Sequence, residues 1–258
     1  MLKHIFTHKY WSGIVLLTQI SIARRNANTF LGSLWGLIQP FLHITVISFF
    51  MSFLLRFEPK VIVTNLVGSL PFWTFIMNGL GNAAESLKAN SAVLKRILLP
   101  KTYFPISDIF ANCYTLLYSF AAMYFSLLLF FPEVFTWKII FIPLLALPLI
   151  ISVMTSSIVA AYATPYIQDI PQFLSVILGV LYWTIPIIYP YSMVPESKQI
   201  FFELNPIYIV IKPMQDLVIT SQLPSIFLIV KSWIVCMLVS LISYLIYKKL
   251  ARNVIYYL

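Results

Sequence analysis

The sequence predicts an all-α integral membrane protein. Three observations support this: hydrophobic residues make up 60% of the 258 residues, charged residues make up only 10%, and the mean hydropathy is +0.91. Soluble domains carry roughly 25% charged residues. Such a small number of charged residues cannot cover a water-facing surface. Lipid must therefore be the solvent for most of the chain. We expect an N-terminal interfacial helix, six transmembrane helices, and short re-entrant helices between the fifth and sixth spans.

Residues 1–30 contain too many polar side chains for a span. Tyr10, Ile14 and Leu17 recur at helical spacing and therefore share one face. The segment also carries four cations, at Lys3, Lys9, Arg24 and Arg25. This pattern is typical of an amphipathic helix that lies in the membrane interface. A mobile tail is the alternative.

Six apolar segments follow, and together they form a permease domain over residues 31–258. Each holds close to the ~20 residues that ~30 Å of hydrocarbon requires. The first is interrupted only by Gln39-Pro40 and His43, and the second contains Pro71. The predicted spans are residues 31–55, 61–82, 105–131, 139–163, 171–189 and 224–247.

The distribution of cations orients these spans, because cytoplasmic loops carry an excess of Lys and Arg. With both termini in the cytoplasm, eleven cations lie inside and six outside. The inner set is Lys3, Lys9, Arg24, Arg25, Lys88, Lys95, Arg96, Lys101, Lys248, Lys249 and Arg252. The outer set is Arg56, Lys60, Lys138, Lys198, Lys212 and Lys231. The opposite orientation would place every basic cluster on the wrong side.

Two connections are long. Residues 84–104 are expected to form a cytoplasmic loop. Residues 190–223 are external but still apolar, and Pro195, Pro206 and Pro213 interrupt them. Irregular backbone at membrane depth is tolerated only against protein or a water-filled cavity. This segment therefore predicts re-entrant helices beside a path through the molecule.

Several functional classes are excluded by what the chain lacks. The net charge of +9 comes from cations between apolar segments rather than from a basic stripe, so nucleic-acid binding is not indicated. No glycine precedes a lysine, so there is no phosphate-binding GxxxxGK[ST] loop, and no His/Cys cluster suits a metal. Only Asp108 among the acidic residues could lie within a span. Cys113 and Cys236 are expected to be buried free thiols.

The chain lacks a phosphate-binding loop and has few ionisable residues within its spans. Energy for any transport must therefore come from another subunit.

An ordered set of motifs is more specific than composition. The first span is preceded by Arg25 and Thr29 and contains a Leu-Gly pair, a Trp and a Pro. The second span contains Gly68, followed by a Leu-Pro-Phe-Trp run. The long cytoplasmic loop contains Asn90, then Leu-Lys-Arg and a Leu-Pro pair. Tyr-Ile-Gln-Asp-Ile precedes the fifth span, and Thr184, Pro186, Tyr189-Pro190, Val194-Pro195 and Asn205-Pro206 follow it.

These motifs, in this order, resemble the permease subunits of type-2 ABC exporters that move polysaccharides out of bacteria. The family includes Wzm for O-antigen, KpsM for capsule, and TagG or TarG for teichoic acid, and Wzm is the nearest in pattern. Two departures stand out. The family's Arg-Tyr-Lys before the first span is Arg25-Asn26-Ala27 here, and Gln168 replaces an arginine before the fifth span.

The resemblance implies a permease subunit rather than an enzyme, in the bacterial cytoplasmic (inner) membrane. Its partners would be a second copy of itself and a separate cytoplasmic ABC ATPase, in a 2+2 assembly. No cofactor belongs to this chain, and ATP and Mg would bind the partner. The substrate would be an undecaprenyl-linked polysaccharide, O-antigen first, with capsule and teichoic acid as alternatives.

The resemblance also implies that the loop of residues 84–99 receives force from the ATPase. The predicted contact residues are Glu85, Lys88, Asn90, Leu94, Lys95, Arg96 and Asp169. Simpler interpretations exist: Lys95 and Arg96 also set the topology, and Asp169 could cap the helix that starts near Pro171.

Aromatic residues make up 16% of the chain, and sugar rings pack their C–H faces on aromatic rings. The tentative substrate path is Phe41, His43, Phe49, Phe53, Phe72, Trp73, Tyr182, Trp183, Tyr189 and Tyr191. Aromatic belts at the membrane interfaces would use the same residues.

Three other functions compete with glycan export. A drug or small-lipid exporter of the same superfamily would share the fold. A membrane-embedded transferase acting on lipid-linked sugars would need acidic residues around a divalent metal, and Asp108 and Asp169 are isolated. A scaffold or assembly factor would leave surface glycan unchanged when deleted.

Overall fold

The computed structural model describes residues 8–27, 29–96 and 99–257, and gives only the backbone of residues 8, 9, 26, 55 and 255. The predictions that involve residues 1–7, 28, 97, 98 and 258, including Lys3 and both termini, lie outside the described residues. Throughout the described part the ordered elements are helices, with no strand. The α-helices are α1 His8–Asn26, α2 Trp35–Leu55, α3 Pro59–Ala89, α4 Ser91–Arg96, α5 Tyr103–Phe130, α6 Ile142–Leu145, α7 Leu147–Ala163, α8 Ile170–Trp183, α9 Glu196–Glu203, α10 Pro206–Thr220 and α11 Ile226–Leu250.

Five helical segments in the described part are long and apolar enough to cross a membrane. They are Gly32–Leu54, Pro59–Ala89, Tyr103–Phe130, Trp137–Ala163 and Ile226–Leu250. They coincide with the first, second, third, fourth and sixth predicted spans. The prediction of an all-α, multi-pass membrane chain is therefore confirmed.

The fifth predicted span is shorter than expected. Helix α8 has 14 residues, which corresponds to about 21 Å at 1.5 Å per residue. After Trp183 the chain continues through turns, because Pro186 cannot donate a helical hydrogen bond. Ile185 and Ile187 in these turns are buried. The count of six spans therefore stays a prediction.

The sequence predicted that a loop begins at residue 84, but residues 84–89 are helical. They complete α3, which runs on to Ala89. Ala84, Glu85, Leu87 and Lys88 are strong helix formers, so the helix continues past the apolar segment. The expected loop is therefore reduced to residues 90–102, which include the short helix α4.

Helix α3 is the central element of the fold. Most of its apolar stretch is buried, whereas little of the apolar stretches of α2 and α11 is buried. It packs against α2, α5, α7, α8 and α10. The large hydrophobic core forms along it, with Leu66, Phe72 and Ile76 contributed by α3 itself.

Helix α10 approaches α3 most closely at Gly68. A Cβ atom added there would lie 2.9 Å from the Gln215 Cα and 3.4 Å from the Val218 Cβ. At the same place the Gln215 Nε2 donates to the Ser69 hydroxyl at 2.8 Å and to the Pro186 carbonyl at 2.7 Å. Small residues allow such close helix packing within membranes. Gly68 thus allows Gln215 to join α3, α10 and the turns after α8.

Gly68→Ala is expected to destabilise the protein, because the new methyl group would push against the α10 backbone. Overpacking of this kind costs about 1–3 kcal/mol, equivalent to a fall in Tm of about 2–12 °C. Gly81→Ala is the matched control, since a Cβ there meets no atom within 4 Å. Thermal unfolding of the detergent-purified variants measures both. Equal Tm values for the two would contradict the close packing.

The first helix lies across the start of α5. Its predicted face packs inward: Tyr10 and Ile14 are buried, and Tyr10 contacts the Tyr103 ring at 4.7 Å. Its other face is also largely apolar, with Trp11, Val15 and Leu16 exposed. The helix therefore packs on protein with one face and leaves a second apolar face open. Its position in a membrane interface stays a prediction.

The basic residues of the predicted inner set that the structure describes gather at one end of the bundle, here called the basic end. A second apolar cluster, the basic-end cluster, joins the elements there. It contains Leu87, Leu94, Phe104, Ala161, Tyr162 and Val254. Leu17 of α1 packs against it, so the first helix and the segment after α11 meet at this end.

The opposite end is formed by the segment predicted to be re-entrant. It contains α9 and α10, and α10 begins where Asn205 Oδ1 accepts the Ile207 amide at 3.0 Å, an N-cap in front of Pro206. Tyr208, Met214 and Leu217 of α10 are buried. Lys60 pairs with Glu133 at 3.3 Å at the same end. Helices fill most of residues 190–223, but α10 continues through Pro213, which was expected to interrupt it. The re-entrant position of this segment stays a prediction.

Candidate functional site, a polar cleft and a basic end

A cleft runs between the three candidate spans α2, α3 and α5. It consists of two adjoining cavities, of about 80 Å³ and about 290 Å³, which share Gly36, Gln39, Asn78 and Thr115. The larger extends towards Arg25 of α1, and the smaller extends to His43 and Ser119. A water molecule needs only about 10–15 Å³. The cleft, here called the polar cleft, therefore has room for several waters or for part of a polar ligand.

Each helix contributes polar groups to the polar cleft for a local reason. In α2, Pro40 has no N–H, so the carbonyl of Gly36 loses its helical donor beside the cleft. In α5, Asn112 is buried and donates through Nδ2 to the Phe75 carbonyl at 2.8 Å. Tyr114 and Tyr118 share a hydroxyl–hydroxyl hydrogen bond of 2.7 Å.

Four polar side chains of the polar cleft are exposed in this single chain and have no protein partner for a hydrogen bond in the described part of it. Gln39, His43, Asn78 and Asn82 line it, and within the described residues none of them makes a hydrogen bond. An unsatisfied polar group in hydrocarbon costs several kcal/mol. Such groups between candidate spans therefore call for water or a hydrogen-bonding ligand in the cleft.

Arg25 lies at the end of the cleft nearest the basic end. Its Nη2 donates to the Asp108 carbonyl at 3.5 Å, and the Ser21 hydroxyl donates to Asp108 Oδ1 at 2.6 Å. Burial lowers the pKa of the Arg25 guanidinium, and the negative charge of Asp108 opposes that shift. Arg25 therefore supplies a partly desolvated positive charge at the cleft mouth.

The structure separates the predicted path residues into three groups. His43 lines the polar cleft. Phe72 and Trp73 are buried in the core, where Phe72 packs on Phe120 and Trp73 on Tyr182. The remaining seven lie on α2 or around the end of α8.

On α2, Phe49 and Phe53 are stacked at 6.2 Å, and their side chains are 66% and 74% exposed. Phe41 instead packs against Phe125 and Phe130 of α5. The two exposed rings form a flat apolar surface on the outside of this chain. This surface suits either a ring-shaped ligand or a neighbouring subunit.

Around the end of α8, Trp183 is exposed and its carbonyl accepts the Tyr189 hydroxyl at 3.1 Å. Tyr182 contacts the Trp183 ring at 5.6 Å. Tyr191 is stacked on Tyr208 at 5.9 Å and donates to Glu203 Oε1 at 3.3 Å. These aromatic residues therefore cluster at the opposite end of the bundle.

Most residues of the polar cleft were not predicted from the sequence. Gln39 and His43, Asn78 and Asn82, and Thr115 and Ser119 each recur four residues apart in an apolar helix. That spacing places each pair on one helix face, and polar residues within spans mark functional positions by default. This periodicity was the signal that could have found them.

The predicted coupling residues lie together at the basic end. Glu85 and Lys88 are exposed on the last turns of α3, and Lys95 and Arg96 are exposed on α4. Leu94 is buried in the basic-end cluster and fixes α4 to the bundle. Asn90, between the two helices, donates through Nδ2 to the Ser86 carbonyl at 2.8 Å.

Asp169 lies beside this group. Lys88 Nζ donates to Gln168 Oε1 at 3.3 Å, which brings the connection between α7 and α8 next to the end of α3. Asp169 occupies the N-cap position of α8, but its side chain makes no cap hydrogen bond. The carboxylate is exposed at the surface of the basic end.

Within the described residues, no group of three or more His, Cys, Asp or Glu side chains could hold a metal ion. Cys113 and Cys236 are free thiols, as the sequence predicted; Cys236 is buried, whereas Cys113 is only partly buried.

No family model matches the chain. Curated proteins do match it along most of their length. The chain is 23% identical over 214 residues to the O-antigen export system permease protein RfbA of Klebsiella pneumoniae, covering 81% of each protein. It is 22% identical over 220 residues to the protein of that name from Myxococcus xanthus, covering 84% of each. A further RfbA protein of Klebsiella pneumoniae is 21% identical over 211 residues, again covering 81% of each.

These matches are spread over the spans and both ends of the bundle rather than confined to one motif, since they cover more than four-fifths of each chain. The relatives are named as permease proteins of an export system, not as enzymes. The resemblance predicted from the ordered motifs is thereby confirmed, since the chain is similar to O-antigen export permeases along most of its length.

Proposed function

We propose that this chain is the permease subunit of an ATP-driven exporter that moves undecaprenyl-linked O-antigen across the bacterial inner membrane. The observation that carries the proposal is the match to O-antigen export permeases over 81% or more of both chains. Capsule polysaccharide or teichoic acid, exported by the same mechanism, is the alternative substrate, but no relative reported above carries either name. A transferase is a weaker alternative, because the relatives are named as permeases.

In this proposal the chain crosses the membrane six times, with α8 and the turns after Trp183 forming the short span. The basic end faces the cytoplasm, as the excess of Lys and Arg favours. The first helix lies in the cytoplasmic interface, with the exposed Trp11, Val15 and Leu16 in lipid. The segment of residues 190–223 re-enters the membrane from the outside.

The energy source is a separate ABC ATPase with its own ATP and Mg, bound at the basic end. Glu85, Lys88, Lys95 and Arg96 are exposed there and suit contact with it. Leu94 anchors α4 in the basic-end cluster, so a force on α4 reaches α3 and α5. Because α3 is central to the fold, this force would move the helices around the polar cleft.

Two copies of the chain would form the path together. The exposed aromatic surface of Phe49 and Phe53, and the exposed face of α8 with Phe173, Val176 and Trp183, suit contact with a second copy or with sugar rings. The polar cleft supplies hydrogen-bonding groups beside this surface. Many weak contacts of these two kinds suit a polymer that must slide.

Deleting the gene in the producing bacterium tests the function. We expect surface O-antigen to disappear and lipid-linked glycan to accumulate on the cytoplasmic side, since synthesis continues without export. Complementation with the intact gene should restore both. Normal surface O-antigen in the deletion strain, with no trapped intermediate, would contradict the proposal.

A further inference from the structure

The segment that follows α11 folds back onto the basic end instead of extending into solvent. Residues 251–253 form a turn, and Val254–Tyr257 form a short 3₁₀ helix. Val254 is completely buried in the basic-end cluster, together with Leu87 of α3 and Tyr162 of α7. This segment is therefore part of the packed structure.

The same segment holds the connection between α7 and α8. The Tyr166 hydroxyl donates to the Leu250 carbonyl at 2.8 Å. That carbonyl lies in the last turn of α11, where helix carbonyls have no helical donor. The Tyr166 ring also lies 4.4 Å from the Tyr257 ring. The end of α11 and the segment after it thus hold Tyr166 at both its hydroxyl and its ring.

Tyr166 is close in sequence to Asp169, the predicted coupling residue of its connection. Gln168, two residues later, accepts the hydrogen bond from Lys88, and Asp169 follows. The Lys88–Gln168 hydrogen bond is exposed, and exposed polar pairs contribute little to stability. The contacts of Tyr166 and Val254 are the more buried ones, so they do more to fix the connection.

We propose that residues 251–257 are a brace that positions residues 164–169 against α3, so that the two ATPase-facing segments of the basic end move as one body. Tyr166 and Tyr257 are its positioning residues. Segments with few buried contacts open locally at low cost, and a segment that opens locally transmits force poorly. The role of the brace in export rests on the proposed function, whereas its effect on residues 164–169 does not.

Tyr257→Ala tests the brace, with Tyr256→Ala as the matched control. Tyr256 is 83% exposed and has no ring partner among the described aromatic side chains, whereas Tyr257 contacts Tyr166. Hydrogen exchange of the purified permease should show amides of residues 164–169 exchanging faster in Tyr257→Ala. The expected increase in the exchange rate is about threefold to tenfold, which corresponds to the loss of one aromatic pair. Tyr256→Ala should match the wild type.

The second measurement uses the complex with the ATPase in vesicles. Tyr257→Ala should lower the glycan exported per ATP hydrolysed by a similar factor, while the ATPase still co-purifies in normal amount. A purely structural defect would instead reduce the amount of complex. Tyr166→Phe, which keeps the ring and removes only the donated hydrogen bond, should show a smaller change in the same direction and serves if Tyr257→Ala does not fold.

Equal exchange in the Tyr257→Ala and Tyr256→Ala variants would overturn the brace whatever the substrate is. Faster exchange with an unchanged ratio of export to ATP hydrolysis would overturn its role in coupling. If the wild-type chain neither binds an ATPase nor exports glycan, the proposed function fails, and the exchange comparison still decides whether residues 251–257 hold the connection.

Discussion

Leu94→Asp is expected to abolish glycan export, whereas Val93→Asp should leave most of it intact. Leu94 is 7% exposed and packs in the basic-end cluster, while its neighbour Val93 is 39% exposed. An unpaired carboxylate buried at position 94 would cost about 3 kcal/mol or more. That cost lowers the docked population of α4 by about a hundredfold, and force from the ATPase would no longer reach α3.

The measurement compares surface O-antigen and the amount of permease in the membrane for the two variants. Both substitutions add one negative charge to the same short helix, so a difference between them reports burial rather than charge. We expect ATP hydrolysis by the complex to persist or to become independent of export in Leu94→Asp. Normal export by Leu94→Asp would show that α4 does not transmit force.

Hydropathy predicted the candidate spans because it is a local property. A run of about 20 apolar residues must be buried in lipid wherever its neighbours pack. It overestimated the length of α8, because the helix ends near Trp183, before Pro186, although the following residues stay apolar. It also ended α3 too early, because residues 84–89 are polar by hydropathy but favour helix.

Which helix faces meet could not be predicted from the sequence. Nine of the ten path residues were chosen for aromatic character, and the structure buries Phe72 and Trp73 in the core. The polar cleft depends on α2, α3 and α5 placing amide groups side by side, and this is a long-range property. The coupling residues were predicted as one loop, but their approach to residues 164–169 and 251–257 depends on contacts between distant segments.

The polar cleft yields the second large expected effect. Asn78 lines both of its cavities and makes no hydrogen bond within the described residues. Asn78→Trp would place an indole where the two cavities meet and would fill most of the smaller one, of about 80 Å³. Access through a pore depends on its diameter and its polar lining, so we expect export to fall by about tenfold or more.

Leu241→Trp is the matched control, because Leu241 is 56% exposed on the outer face of α11, where a larger apolar side chain meets lipid. It should export like the wild type. Asn78→Leu separates the effect of blocking the cleft from the effect of losing the amide. Leucine is close in size to asparagine and removes only the hydrogen-bonding amide. Export should therefore fall less, by about fivefold for one hydrogen bond. ATPase binding should be normal in all three variants, since Asn78 lies about three helical turns before Ala89, where α3 ends next to α4. If Asn78→Trp exports as well as Leu241→Trp at equal membrane levels, the glycan does not pass along this cleft, and the path must lie wholly on the aromatic surface of α2 and α8.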